Sequence, residues 1–168
     1  MSHPLASVVG VVDPAFDPWQ AIDEHPDLQV RFDPVARLLG GGFHVGRAGQ
    51  AFIVVDPDLD EPLRRAVLTH ELVHHERGGG APRPGAPPLL EALVDRDERR
   101  VEAEVARRLV PPAALARLVA EVVASGGGLD AHDVADHFGV PVEVAALALH
   151  QSIPSGSSRS RAPGDPVA

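Results

Sequence analysis

An α+β fold is predicted by three features of the sequence. Two short runs have strand patterns: Leu28 to Phe32 alternates apolar and polar residues, and Ala51 to Val55 is continuous and β-branched. Glycines between these runs predict turns and a hairpin. Helical patterns follow, from about Pro62 to Arg77 and from about Leu89 to Val110. A short, mostly antiparallel sheet is therefore expected to pack on the first helix, with the second helix crossing it.

Proline and glycine mark where these helices end. Pro62 suits a first helical turn, and the three glycines at 78–80 end the first helix. The second helix stops at Pro111–Pro112, and a third is expected from about Ala113 to Ala124. Four segments are predicted: a flexible leader at 1–20, the main domain at 21–112, a small helical subdomain at 113–151 and a disordered tail at 152–168.

The composition excludes several classes of function. The chain has 168 residues and a net charge of −9, and so acidic a protein has no overall attraction for nucleic-acid phosphates. It has no Cys, which excludes disulfides, thiolate zinc sites and a cysteine nucleophile. No run approaches the ~20 apolar residues of a membrane span, and no signal-peptide pattern is present. The expected location is the cytoplasm, with no direct nucleic-acid partner and no membrane partner.

A His-Glu-x-x-His motif lies inside the first predicted helix. Residues four apart share one face of a helix, so the imidazoles of His70 and His74 can reach one metal ion. Zinc lowers the pKa of a bound water to about 7, and Glu71 is placed to act as the general base. Leu63 and Val67 precede the histidines at helical spacing, so the stripe is expected to enter the interior. The alternative is a pair of core histidines satisfied by hydrogen bonds.

The third protein ligand of a catalytic zinc site is expected from the second helix. At ~100° per residue, Glu98 lies near the middle of that helix's apolar stripe and Glu102 at its edge. A carboxylate on a buried face is costly unless it is matched to a cation. Glu98 is therefore the expected ligand and Glu102 the reserve. The alternative for Glu98 is an ion pair with an arginine such as Arg64 or Arg65.

The group that would stabilise an oxyanion is less evident, because the chain has no Tyr. His44 and Arg47, in the glycine-rich hairpin, are the candidates, and the alternative is that both are ordinary polar loop residues. His75 points to a different face from His74 and is expected at the surface. The strand at 51–55 is expected to offer an edge that pairs with an extended substrate.

Two sequence segments, THELVHHERG and DERRVEAEVARRLVP, together resemble the ImmA/IrrE metallopeptidase family. In that family a second helix supplies a glutamate ligand, which Glu98 matches, and the run Leu109–Pro111 matches the end of that helix. Val101 and Glu102 depart from the family's usual Ala and its usual Asn or Asp. The segment from Val134 to Pro141 is similar to a downstream helical piece of the family.

This resemblance covers about residues 51–150 and implies a minimal zincin-like domain of the gluzincin type with one Zn²⁺ per chain. It implies a cytoplasmic endopeptidase, encoded in a bacterium or phage, that cleaves a helix-turn-helix transcriptional repressor. The alternative is a non-catalytic regulator that binds a repressor or antitoxin without cleaving it; Glu71 favours catalysis, because a structural metal site does not need it. Residues 130–150 are spaced like a helix-turn-helix but contain no Lys or Arg, so packing or substrate docking is favoured over DNA contact.

Overall fold

The computed structural model describes residues 16–47, 49–78 and 88–153. The class is α+β, as predicted, and the predicted strands and long helices agree with the observed bounds to within one residue. Residues 1–15 and 154–168, most of the predicted leader and tail, lie outside the described residues. In chain order the elements are α1 (Pro18–Asp23), β1 (Leu28–Phe32), a 3-10 helix (Pro34–Leu39), β2 (Gly42–Arg47), β3 (Gln50–Val55), α2 (Glu61–Glu76), α3 (Pro88–Leu109), α4 (Pro112–Ala124), α5 (Ala131–Phe138) and α6 (Val142–Ser152).

The sheet is mixed rather than mostly antiparallel. Its strand order is β1-β3-β2, with β1 parallel to β3 and β2 antiparallel to β3. After β1, the 3-10 helix leads the chain to β2, which forms the opposite edge of the sheet. The hairpin after β2 then places β3 between β1 and β2, parallel to β1. Both edges of β3 are therefore paired. The prediction that residues 51–55 offer a free edge to a substrate is wrong, and β2 is the edge strand beside α2.

Helix α2 lies between the sheet and the C-terminal helices. Leu68 and Leu72 are fully buried against the sheet, in a cluster that includes Ile53. Ala66 and Val73 are buried in a second apolar cluster with α3, α5 and α6. Two opposing layers thus cover α2, and this burial supplies most of the force that holds the helix in place.

The face of α2 that carries the motif histidines borders a cleft. Leu63, at the start of this face, is 41% exposed. The side chains of His70 and His74 are 30% and 19% exposed. The prediction that this stripe enters the interior is therefore wrong, because the sheet and the C-terminal helices pack on the other faces of α2. The two imidazoles are left within reach of an ion or a substrate.

The C-terminal helices share a core with the rest of the fold. Residues of α4, α5 and α6 are buried in the same apolar cluster as residues of α2 and α3. The guanidinium of Arg65 in α2 donates to the carbonyl oxygens of Phe138, at 3.1 Å, and Gly139, at 2.9 Å. Gly139 ends α5 in the left-handed conformation, with φ of 61°. No helix in the described ranges combines the length and apolar character needed to cross a bilayer.

Candidate metal centre

Three side chains from two helices converge at the cleft. The Nε2 atoms of His70 and His74 lie 3.0 Å apart. The Oε2 atom of Glu98 lies 3.5 Å from Nε2 of His70 and 3.4 Å from Nε2 of His74. Ligands held ~2.0–2.1 Å from a tetrahedral zinc ion lie about 3.3–3.4 Å from one another. These three atoms already have nearly that spacing, so the residues fit a zinc ion.

His70 is in a form that suits a metal. Burial lowers the pKa of His70 below its usual value, and the neighbouring His74 lowers it further, while the carboxylate of Glu98 acts in the opposite direction. A lowered pKa keeps the imidazole neutral at pH 7, and the neutral ring is the form that binds metal ions.

Local sequence explains why these groups stand where they do. The side chain of Asp60 caps α2 by accepting from the backbone N–H of Leu63 at 2.9 Å. The i, i+4 spacing then places both imidazoles on one face. On α3, the fully buried Val101 and the nearly buried Val105 fix the rotation of the helix, and Glu98 lies one turn before Val101 on the same side.

The structure brings Glu98, and not Glu102, to the two histidines. Glu102 is exposed and lines the neighbouring cavity. Neither Arg64 nor Arg65, the alternative ion-pair partners, contacts Glu98. Arg64 donates to the carbonyl of Leu59 at 2.7 Å, and Arg65 is engaged with backbone carbonyls at the end of α5.

Glu71 is a buried carboxyl beside this triad. It is 9% exposed. Burial raises the pKa of Glu71 to about 7, and the negative charge of Glu98 raises it further, while a hydrogen bond from the backbone N–H of His44 lowers it. A carboxyl with a pKa near 7 can accept and release a proton at neutral pH.

Gly42 allows β2 to approach this carboxyl. A Cβ atom at Gly42 would lie 2.3 Å from Cγ1 of Val67 and 3.7 Å from Cγ of Glu71. No side chain fits there without displacing Val67, so the glycine is needed for the close packing of strand on helix. This approach lets the amide of His44, two residues along β2, reach Glu71.

Of the two residues predicted to stabilise an oxyanion, only His44 has a side chain in the described part of the chain. The imidazole of His44 turns toward His75, with Nε2 of His44 3.1 Å from Nδ1 of His75. Arg47 ends β2, and its side chain lies outside the described part of the chain. The expectation that His75 lies at the surface is wrong: its side chain is only 14% exposed and also lies near Asp27, because the N-terminal turn covers this side of α2.

A cavity of about 530 Å³ adjoins His70 and Glu71. Its wall comes from α2, α3, α6, the end of the 3-10 helix and the glycines that follow it, so residues far apart in sequence enclose it. No local sequence signal indicated it. Such a concave, mostly apolar space next to polar groups has the character of a binding pocket. Its apolar lining residues are Leu39, Ala66, Val67, Val105, Val144 and Leu147, and its acidic ones besides Glu71 are Glu102 and Glu143.

Comparisons of the chain with models of protein families, with curated proteins and with solved structures give no match. The similarity to the ImmA/IrrE family therefore rests on the motifs in the sequence.

Proposed function

We propose that the protein is a zinc-dependent endopeptidase of the ImmA/IrrE type that hydrolyses a peptide bond in a protein substrate. One observation carries this proposal: the ligand atoms of His70, His74 and Glu98 form a triangle with edges of 3.0 to 3.5 Å, and Glu71 adjoins it. Two histidines and a glutamate are the ligand set of several catalytic zinc sites. Zinc bound there would polarise the scissile carbonyl and acidify a water molecule.

Glu71 is the proton carrier of the proposed reaction. With a pKa of about 7, its carboxylate accepts a proton from the attacking water and passes it to the leaving amine. The backbone N–H of His44 donates to this carboxylate and so orients it. Burial keeps bulk water from competing for the same hydrogen bonds, which supports directed proton transfer.

The outer edge of β2 is the proposed track for the substrate backbone. The amide of His44 points away from β3, toward Glu71. In an antiparallel pair, alternate residues turn their backbone groups to the same side, so Gly42 and Gly46 present theirs at this outer edge. An extended peptide can pair with such an edge. The adjoining cavity would then receive a large apolar side chain next to the scissile bond.

The proposed substrate is a helix-turn-helix repressor in the cytoplasm. The resemblance to the family supplies this assignment, and charge is compatible with it. The chain carries a net charge of −9, whereas DNA-binding repressors present basic surfaces, so the two proteins would attract each other over long range. The competing proposal is a regulator that binds a repressor without cleaving it. It has the same zinc ligands but does not hydrolyse the repressor.

Zinc content and cleavage together test the proposal. The purified full-length chain, loaded with Zn²⁺, is incubated with the repressor encoded nearest to its gene, and products are identified by mass spectrometry. We expect cleavage at one site, and Glu71→Gln should keep its zinc while cleaving about 10²–10⁴-fold more slowly. Unchanged cleavage by Glu71→Gln would remove the general-base assignment. Zinc-loaded protein that binds the repressor and leaves it intact would support the non-catalytic regulator.

A further inference from the structure

A second group of metal-ligating side chains lies on another side of the C-terminal end of α2. His25 and Asp27 stand in the turn between α1 and β1, and His75 is in the last turn of α2. One ligand atom from each residue lies within 4.8 Å of those of the other two. Oδ2 of Asp27 is 3.7 Å from Nε2 of His75, and the rings of His25 and His75 meet edge to face with centroids 5.1 Å apart.

We propose that His25, Asp27 and His75 form a second binding site for a divalent transition metal, with Zn²⁺ as the reference ion. Two imidazoles and one carboxylate suit zinc and its first-row neighbours, whereas Mg²⁺ and Ca²⁺ prefer oxygen ligands alone. Ligand atoms around zinc lie about 3.3–3.4 Å apart, so Asp27 and His75, at 3.7 Å, need only a small adjustment, and His25, whose ligand atom lies within 4.8 Å of both, must move toward them. The side chain of Asp27 is 52% exposed and has room to make it.

His44 provides the outer contact that a metal-binding histidine usually has. A ligating imidazole commonly donates its other ring N–H to a neighbouring acceptor, which sets the tautomer and the ring orientation. Nδ1 of His75 lies 3.1 Å from Nε2 of His44. With the proton on Nδ1 of His75, its Nε2 lone pair is free on the side of Asp27.

The backbone around the ligands is well braced. The carbonyl of His25 accepts from Leu28 at 3.0 Å, and the carbonyl of Asp27 accepts from Ala51 of β3 at 2.7 Å. The turn is thus fastened to both of its neighbouring strands. The carboxylate of Glu76 lies 3.9 Å from Nε2 of His25. It already accepts a hydrogen bond from Arg108 at 2.9 Å, so its negative charge is balanced by that arginine.

The two sites use different ligands but share a neighbour. His74 and His75 are adjacent in α2 and point into different clusters. The ring of His44 contacts His75, and its backbone N–H contacts Glu71. An ion in the second site would fasten the N-terminal turn to α2 and hold β2 in place beside Glu71. This inference does not depend on the proposed peptidase activity.

The test counts zinc ions in the full-length chain. The protein is stripped with a chelator, titrated with Zn²⁺ and measured by calorimetry and elemental mass spectrometry. We expect about two zinc ions per chain in the wild type and about one in His70→Ala/His74→Ala, which removes only the first site. Adding His25→Ala and Asp27→Ala to that double variant should remove the remaining ion. His132→Ala, which removes an exposed histidine outside both clusters, should leave both counts unchanged.

Two outcomes would overturn the second site. One is a single zinc ion in the wild type that is lost in His70→Ala/His74→Ala; the other is an unchanged count after His25→Ala and Asp27→Ala. Asp27→Asn changes an exposed side chain, so it should leave the fold intact. Added to His70→Ala/His74→Ala, it should abolish the rise in Tm that zinc causes in that double variant. If the first site fails instead, His70→Ala/His74→Ala keeps the wild-type count, so failure of the two proposals can be distinguished.

Discussion

Glu98 and Glu102 lie one turn apart on α3, and only Glu98 reaches the two histidines. Its Oε2 atom is 3.4 Å from Nε2 of His74, whereas Glu102 is exposed at the wall of the cavity. The i, i+4 spacing gives the two carboxylates similar directions. The point at which α3 crosses α2 therefore selects the one that can bind an ion with the histidines.

Glu98→Ala should weaken zinc binding at this centre. Loss of an outer contact to a ligand already costs 10–100-fold in metal affinity, so loss of a ligand should cost at least about 100-fold. Glu102→Ala is the matched control and should bind zinc as the wild type does. Competition with a zinc chelator, in a chain that also carries His25→Ala, measures the first site alone. A loss confined to Glu102→Ala would transfer the ligand role to Glu102.

Gly42→Ala should destabilise the fold and disturb Glu71. The new Cβ would meet Cγ1 of Val67 at 2.3 Å, and overpacking of this kind costs about 1–3 kcal/mol. The displaced strand would also move the amide of His44 away from Glu71, so cleavage should fall more than zinc affinity. Urea unfolding measures the first effect and repressor cleavage the second.

Gly46→Ala is the control on the same strand. A Cβ at Gly46 would meet nothing closer than the carbonyl of Gln50 at 4.0 Å. Its free energy of unfolding should therefore stay within ~0.5 kcal/mol of the wild type. Equal destabilisation by the two alanines would show that the strand resists any side chain and that the contact with Val67 is not the cause.

Val144→Phe should change which substrates are cleaved. Val144 lines the cavity beside His70 and Glu71, so a larger ring would occupy space proposed for a substrate side chain. For peptides with Leu or Phe next to the scissile bond, kcat/KM should fall by about 10–100-fold, and peptides with Ala there should change little. Val119→Phe, on the exposed part of α4, is the control. Equal losses of kcat/KM for both peptide classes would show that the cavity does not select the side chain next to the scissile bond.

Glu104→Gln should cost stability at neutral pH and little in acid. The hydrogen bond from Arg107 holds the pKa of Glu104 down at about 2, and Arg108 adds to this effect. The unfolded value is about 4.3, so the stabilisation is complete above that pH and is lost as the pH falls toward 2. Because Arg107 is exposed and solvent screens the pair, the gain is about 1 kcal/mol or less. Urea midpoints at pH 7 and pH 2 measure it; an equal deficit at both would indicate lost packing.

Local patterns were enough to predict most of the elements and to single out His70, Glu71 and His74. The apolar period of 3.6 residues located α2 and α3, and proline and glycine marked their ends. Two histidines at i and i+4 had to share a face once that segment was helical. The His-Glu-x-x-His motif then assigned the general-base role to the neighbouring Glu71. These features depend on residues only a few positions apart, so the chain determines them locally.

Contacts between distant segments decided the rest. The crossing of α3 over α2 brings Glu98, the carboxylate that the apolar stripe had favoured over Glu102, to the two histidines. The return of β3 to the centre of the sheet closed the edge predicted at 51–55. His25, His44 and His75 meet because three separate elements pack together. Periodicity assigns each side chain to a face of its own element. Which neighbour covers that face depends on how the layers bury their apolar surfaces, and only the tertiary structure shows it.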